Sequence, residues 1–231
     1  MSATPRLTQL IDKQDNFEII RDQIAGILAI EIANQKAIAQ GEGKDPDLFY
    51  FHTYTERSNP WALIEDSEGK IINEAPIVNV FFDNDITDSN SSTISDNQEF
   101  AGSFNIDCYG AKNAKEIEQG VHSPGDELSA REAQRIARLV RNILMFNEYA
   151  YLGLKGVVTS RNISQRAMFQ PIPGAASNNI SICRLTVKVV YSEMALQTIP
   201  ANLELAANQC LRKEDGLIYF DANFDYTQQG G

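Results

Sequence analysis

The sequence predicts an α+β fold, a mostly antiparallel sheet of about four to five strands packed against two long helices, with long loops and a C-terminal arm. Three observations carry this. Two segments of more than twenty residues repeat their apolar positions at the helical period, several runs are rich in β-branched and aromatic residues, and the C-terminal third holds two extended runs joined by PIPGAASNN. The prolines, glycine and asparagines of that join are turn chemistry, so the two runs read as a long hairpin.

The first helix is expected over 16–40, capped by Asp15 or Asn16 and stopped by GEG. At about 100° per residue, Phe17, Ile20, Ile24, Ile27, Leu28 and Ile32 share one face, as an amphipathic helix on a core requires. A second strip, Ile19, Gly26, Ile30, Ala33 and Ala37, falls near the opposite side. It is either buried inside the subunit or meets another subunit. Strands follow over 48–55 (LFYFHTYT) and 77–82 (IVNVFF), the second too apolar for an exposed edge. Between them lies a turn-like surface segment containing EDSEGK.

Residues 83–98, DNDITDSNSSTISDNQ, have neither a helical nor an alternating period and read as a long acidic loop awaiting a partner. A third strand over 100–109 alternates Phe104, Ile106 and Cys108 with Asn105, Asp107 and Tyr109, one buried and one polar face. A polar loop over 110–125 leads to a second helix over 126–149, with Ser123 or Asp126 as cap. Leu128, Ile136, Leu139, Val140, Ile143 and Leu144 form its apolar stripe, and Arg131, Arg135 and Arg138 gather on another face with Arg141 close by. The hairpin runs cover 157–170 and 180–193; in the second, Cys183, Leu185, Val187, Val189 and Tyr191 point one way. Beyond it, a short helix near 203–211 and an aromatic-rich arm are expected, dividing the chain into a domain over 1–195 and an extension over 196–231.

A formal charge of −11 gives a field that repels nucleic-acid phosphates. Cys108, Cys183 and Cys210 have neither disulfide-framework nor zinc-site spacing, and no secretory signal or run of about 18 apolar residues is present, so a cytoplasmic, non-membrane protein is expected. His52 and His122 lack partners that would mark a nucleophile or metal site. No GxSxG, HExxH, P-loop or GxGxxG sequence occurs, so no catalytic residue, metal or cofactor is assigned. Asp83, Asp85 and Asp88 are the tightest carboxylate group. They form a solvated partner-contact loop, or a hard-cation site to which Asp107 would add if the third strand lies beside the second. The arginine face is either solvated or pairs with carboxylates of another chain.

The segments FEIIRDQIAGILAIEIANQ, PIVNVFFDN, FNIDCYG, EAQRIARLVRNILM and RLTVKVVYSEM, in that order over about 15–195, resemble bacteriophage tail-terminator and tail-completion proteins of the neck. The resemblance lies in ordered patterns and not in a single motif. It implies a non-enzymatic virion subunit, made in the host cytoplasm, that closes with copies of itself into a ring, typically of six. Such a ring caps the tail tube, stops its growth and offers the head-tail connector, or another neck protein, a docking surface. The tail sheath is a further candidate contact, and genomic DNA passes only through the lumen. On this reading Ile19, Ile30, Ala33, Ala37, Arg131, Arg135 and Arg138 are candidate subunit-interface residues. A connector role in the same neck is the alternative, and a divalent-metal hydrolase using the acidic loop a remote one.

Overall fold

The computed structural model describes residues 10, 14–64, 71–87, 97–117, 121–169, 179–194, 206–214 and 217–225. The chain divides into two compact units, Asp12–Ala195 and a second that contains Leu196–Gly231.

The larger unit is α+β. Its sheet comprises β1 (His52–Thr55), β2 (Ile77–Thr87), β3 (Asn97–Ala111), β6 (Val158–Phe169) and β7 (Ile180–Met194) in the order β1-β2-β3-β7-β6. It is a mixed sheet: β1 runs parallel to β2, and every other pairing is antiparallel. Two short strands, β4 (Lys115–Ile117) and β5 (Val121–Ser123), pair within the connection that precedes the second helix.

Helix α1 (Asn16–Gly41) opens with a capping box in which the Asp15 N–H donates to the Glu18 carboxylate at 3.2 Å. Its opening is tied to the sheet: the Asn16 N–H donates to Glu193 at 2.8 Å and the Asn16 amide to the Ser192 carbonyl at 2.6 Å. Helix α2 (Gly125–Leu144) has Pro124 at its cap, so neither Ser123 nor Asp126 serves as the expected side-chain cap. Ser129 anchors this end instead, accepting from the Lys112 N–H at 2.8 Å. The helix stops at Leu144, and a 3₁₀ turn over Asn147–Tyr149 replaces the last predicted turn.

Both helices lie on one side of the sheet. Ile20, Ile24, Leu28 and Ile32 of α1 and Ala133, Ile136, Val140 and Leu144 of α2 close over Val78, Val80, Phe104, Ile106, Leu185, Val187 and Val189. Close approach is built into β3. A Cβ on Gly110 would stand 2.3 Å from the Ser129 carbonyl oxygen and 2.7 Å from the Ala133 nitrogen, so only glycine lets α2 settle on the strand here.

The opposite face of β3 is polar, as its alternation suggested, but it is buried and not solvated. Asn79, Asn105 and Asp107 are buried, and Tyr109 joins Ile64, Ile71, Ile77 and Ile182 in a second small core. Polar groups there are satisfied in pairs: Asn79 exchanges hydrogen bonds with the Arg57 backbone at 3.1 and 2.9 Å, and Thr186 donates to Asn105 at 2.8 Å. Arg184 grips Asp107 with two nitrogens at 2.6 and 2.8 Å, flanked by the Phe81 and Phe169 rings.

Three expectations are corrected. The strand expected over 48–55 begins only at His52, because Pro46 starts a 3₁₀ turn over Pro46–Phe49 that Asp45 caps, its carboxylate accepting from the Asp47 N–H at 3.0 Å. The loop expected from residue 83 is strand as far as Thr87, held by continued pairing with β3 through a bulge between Phe82 and Asn84. In the smaller unit, Ala206–Glu214 is strand β8, antiparallel to β9 (Leu217–Asp225), where a helix and an arm were expected. Among the described residues no helix is long and apolar enough to cross a membrane.

Candidate functional site

The outward face of α1 distinguishes this surface from that of an ordinary amphipathic helix. Ala29, Ile30, Ala33 and Ala37 are exposed, Ile30 by 69%, and Gly26 is half-buried with open space where a Cβ would project. From Gly26 to Ala37 this face carries no charged side chain, although solvent-facing helix surfaces are normally polar. Ile19, expected with them, is half-buried. Of the two readings of this strip, burial within the subunit does not hold for Ile30, Ala33 and Ala37, which are exposed.

Along one side of the strip, Ala25, Gly26 and Ala29 of α1, Thr53, Tyr54 and Thr55 of β1 and the following Arg57 line a groove of about 430 Å³. β1 is a sheet edge, so one side of its backbone has no strand partner among the described residues. The Thr53 hydroxyl is buried and has no hydrogen-bond partner among the described residues. β6 forms the other edge, is mostly exposed and carries two register shifts.

Both flanks of α2 are also open. On one, Leu139, Ile143, Phe146 and Tyr149 face Glu31 and Asn34 of α1 across a groove of about 410 Å³, and the Tyr149 hydroxyl donates to Glu31. Met145 and Phe146 are more than half exposed at its end. On the other, Arg131, Arg135 and Arg138 meet Arg166 of β6 around a cleft of about 560 Å³. The arginines differ in their engagement. Arg131 pairs with Glu127, and Arg135 is held by Glu132 through bonds of 3.0 and 2.6 Å, while its Nη1 is buried without an acceptor. Arg138 and Arg166 are exposed and make no ion pair among the described residues. Arg161, farther along β6 on the same face, buries Nε and Nη1 with no hydrogen-bond partner among the described residues, and that burial lowers its pKa.

The predicted acidic group is divided by the strand. Beyond the bulge, Asp85 lies opposite Gly102 on the helix side, where the Tyr191 hydroxyl donates to it at 2.8 Å. Asp83 sits at the bulge, near enough to Arg184 to help raise that guanidinium's pKa, behind the larger effect of its Asp107 hydrogen bond. Asp88 lies outside the described residues. Asp107 does stand on a strand beside β2, opposite Asn79, but Arg184 occupies its carboxylate. No group of three or more histidine, cysteine or acidic side chains that could hold a metal ion occurs among the described residues. His52 contacts the Tyr50 hydroxyl at 3.0 Å, and the side chain of His122 lies outside the described set.

Sequence reasoning missed Arg166, the two free sheet edges and the aromatic flank of α2. Arg166 is 28 positions from Arg138, and only the pairing of β6 with β7 under α2 brings them together. The run MFNEYAY, aromatic residues just past a helix end, was the available signal for the flank. No family model and no curated protein matches the chain.

Proposed function

We propose that this chain is a structural subunit that assembles with copies of itself, and that its assembly is a closed ring of the tail-terminator kind, seated on the end of a tailed-phage tail tube. The observation that carries the proposal is the exposed, uncharged strip Ala29, Ile30, Ala33 and Ala37, with the half-buried Gly26 beside it, on the longest helix among the described residues. Small side chains on such a strip let a second backbone approach closely, and the exposed Ile30 then supplies the apolar area that association removes from water. The strip adjoins the β1 edge, while the second free edge, β6, lies at the far side of the same sheet. Two different patches at opposite edges suit a heterologous contact, which closes into a ring when the rotation between neighbours divides a full turn.

In such a ring the chain would work by geometry. A terminating ring needs one face that copies the end of the tube and another that the tube subunit cannot extend, and it needs no chemical step. The net charge of −11 suits a lumen through which DNA moves without adhering. The ring number of six follows the resemblance described above.

The test is to add the purified chain to polymerising tail-tube protein and image the products by electron microscopy. The proposal expects a ring at one tube end and a fall in mean tube length as the chain is titrated. Tubes of unchanged length with bare ends contradict it.

A further inference from the structure

We infer that the arginine cleft between α2 and β6 is a carboxylate receptor, and that its occupant is the acidic end of the β2–β3 hairpin of a second copy of this chain. The inference rests on the self-assembly reading and adds to it a second, electrostatic contact distinct from the α1 strip.

The cleft is the place where four guanidinium groups, those of Arg131, Arg135, Arg138 and Arg166, line one cavity of about 560 Å³. In a chain with 31 acidic and 20 basic residues such a concentration runs against the average charge. Intramolecular pairing neutralises only part of it. Glu127 and Glu132 engage Arg131 and Arg135, and the exposed groups of Arg138 and Arg166, one from each wall, stay without an ion pair among the described residues. Arg135 is fixed by its two bonds to Glu132 with Nη1 turned away and lacking an acceptor. The forks of Arg138 and Arg166 are the ones left to bind an oxyanion, and carboxylate is the acid group that matches a guanidinium with two parallel hydrogen bonds.

Charge and topology select the occupant. A nucleic acid must approach against the net field of the chain, whereas a second copy presents mostly carboxylates. The β2–β3 hairpin offers Asp83, Asp85 and Glu99, all exposed, with Ile86 exposed by 69% among them. Asp85 accepts from Tyr191 through one oxygen, Oδ2, and keeps the other. This end cannot reach the cleft of its own subunit. Asp85 is level with Val189 and Glu99 with Ser192, while the cleft is level with Cys183 and Leu185, so the two stand four to nine residues along β7, about 13–30 Å at roughly 3.3 Å per residue, and β2 is three strands across from β6; Asp83 lies near Arg184, on the face of the sheet away from the cleft. The two patches also lie toward opposite edges of the sheet, β2 and β6, so mutual occupancy between copies is head-to-tail and compatible with closure.

The experiment is a charge exchange. Variant one carries Arg138→Glu and Arg166→Glu; variant two carries Asp83→Lys and Glu99→Lys; native mass and tube capping are measured for each and for their mixture. All four positions are exposed, so both variants should keep the wild-type melting curve. Each variant alone is expected to lose the assembled species. The mixture should regain it, because the acidic hairpin of the first fits the cleft of the second and the basic hairpin of the second fits the reversed cleft of the first. Assembly of variant one at the wild-type level overturns the inference, as does a folded pair whose mixture stays unassembled. If fluorescent single-stranded DNA or inorganic phosphate binds the wild type and is lost in variant one with assembly intact, the cleft is a phosphate site and the inference falls. An Ile30→Asp variant separates the two ideas: its failure to affect assembly counts against the ring contact on α1 and leaves the exchange result unaltered.

Discussion

Replacing Ile30 by Asp separates folding from assembly because the side chain contributes little to the first. Ile30 is 69% exposed, so about a third of it is buried in the subunit; with about 1.5–3 kcal/mol for complete burial of an aliphatic side chain, the monomer has some 0.5–1 kcal/mol at stake. Aspartate and isoleucine differ by only a few tenths of a kcal/mol in helix propensity, so the melting midpoint should fall by about 2–4 °C. At a subunit contact the same change forfeits the remaining two thirds of the apolar burial, about 1–2 kcal/mol, and strands a desolvated carboxylate at a cost of several more. Each contact therefore weakens by at least about 3 kcal/mol, more than 100-fold. Circular dichroism melting and light scattering on the same sample read both quantities. Ile24→Ala is the control from the opposite face: Ile24 is fully buried, and its truncation should cost about 2–5 kcal/mol of folding stability. If Ile30→Asp assembles like the wild type, or unfolds as Ile24→Ala does, the reasoning about the outer strip is refuted.

Three further outcomes follow from the sheet and its helices. Arg184→Met leaves the buried Asp107 carboxylate without its charge partner and should cost about 3–5 kcal/mol in a denaturant titration; a loss below 1 kcal/mol would show that water already reaches the pair. Gly110→Ala places a methyl group against backbone atoms of α2 and should destabilise by about 1–3 kcal/mol, whereas the same change at Gly26, with open space around it, should be neutral or slightly stabilising in the monomer. Burial, reinforced by Asp85, pushes the Tyr191 hydroxyl well above its ordinary pKa, and burial beside Asp107 does the same for Tyr109. A raised folded-state pKa contributes stability that is complete below the unfolded value near 10 and is lost as pH rises beyond it. Guanidinium midpoints should hence decline above about pH 10, and Tyr191→Phe should make that decline shallower.

Both helices and β7 were legible in the sequence because each buries one face against the core and must repeat its apolar positions at its own period, while the mostly exposed β6 was marked as its partner by the turn residues of PIPGAASNN. What side-chain pattern does not record was missed. Asp83–Thr87 carries a loop-like composition but remains strand because its backbone groups pair with β3, whatever the side chains are. The apolar residues at 203–211 suggest a helix, yet Ala206–Glu214 is strand because its backbone pairs with β9. The outer strip of α1 could be seen as a second apolar line, but whether it met core or solvent depended on which side the sheet would take. Asp83 and Asp85 read as a pair in sequence, and the bulge after Phe82 turns them to different surroundings. Arg131, Arg135 and Arg138 were visible from helical spacing alone, whereas Arg166 joins them through tertiary structure that no local spacing encodes.

The central claim is that this fold works as one member of a closed set of copies, and native mass spectrometry tests it most directly. The measurement is the mass of the purified 25.7 kDa chain alone and after addition of tail-tube protein, with electron microscopy of the same mixtures. The account predicts one discrete multiple of the chain mass, seen as a ring, either in free solution or on the tube end. A chain that stays at its single mass in both, and leaves no ring on any tube, would contradict it.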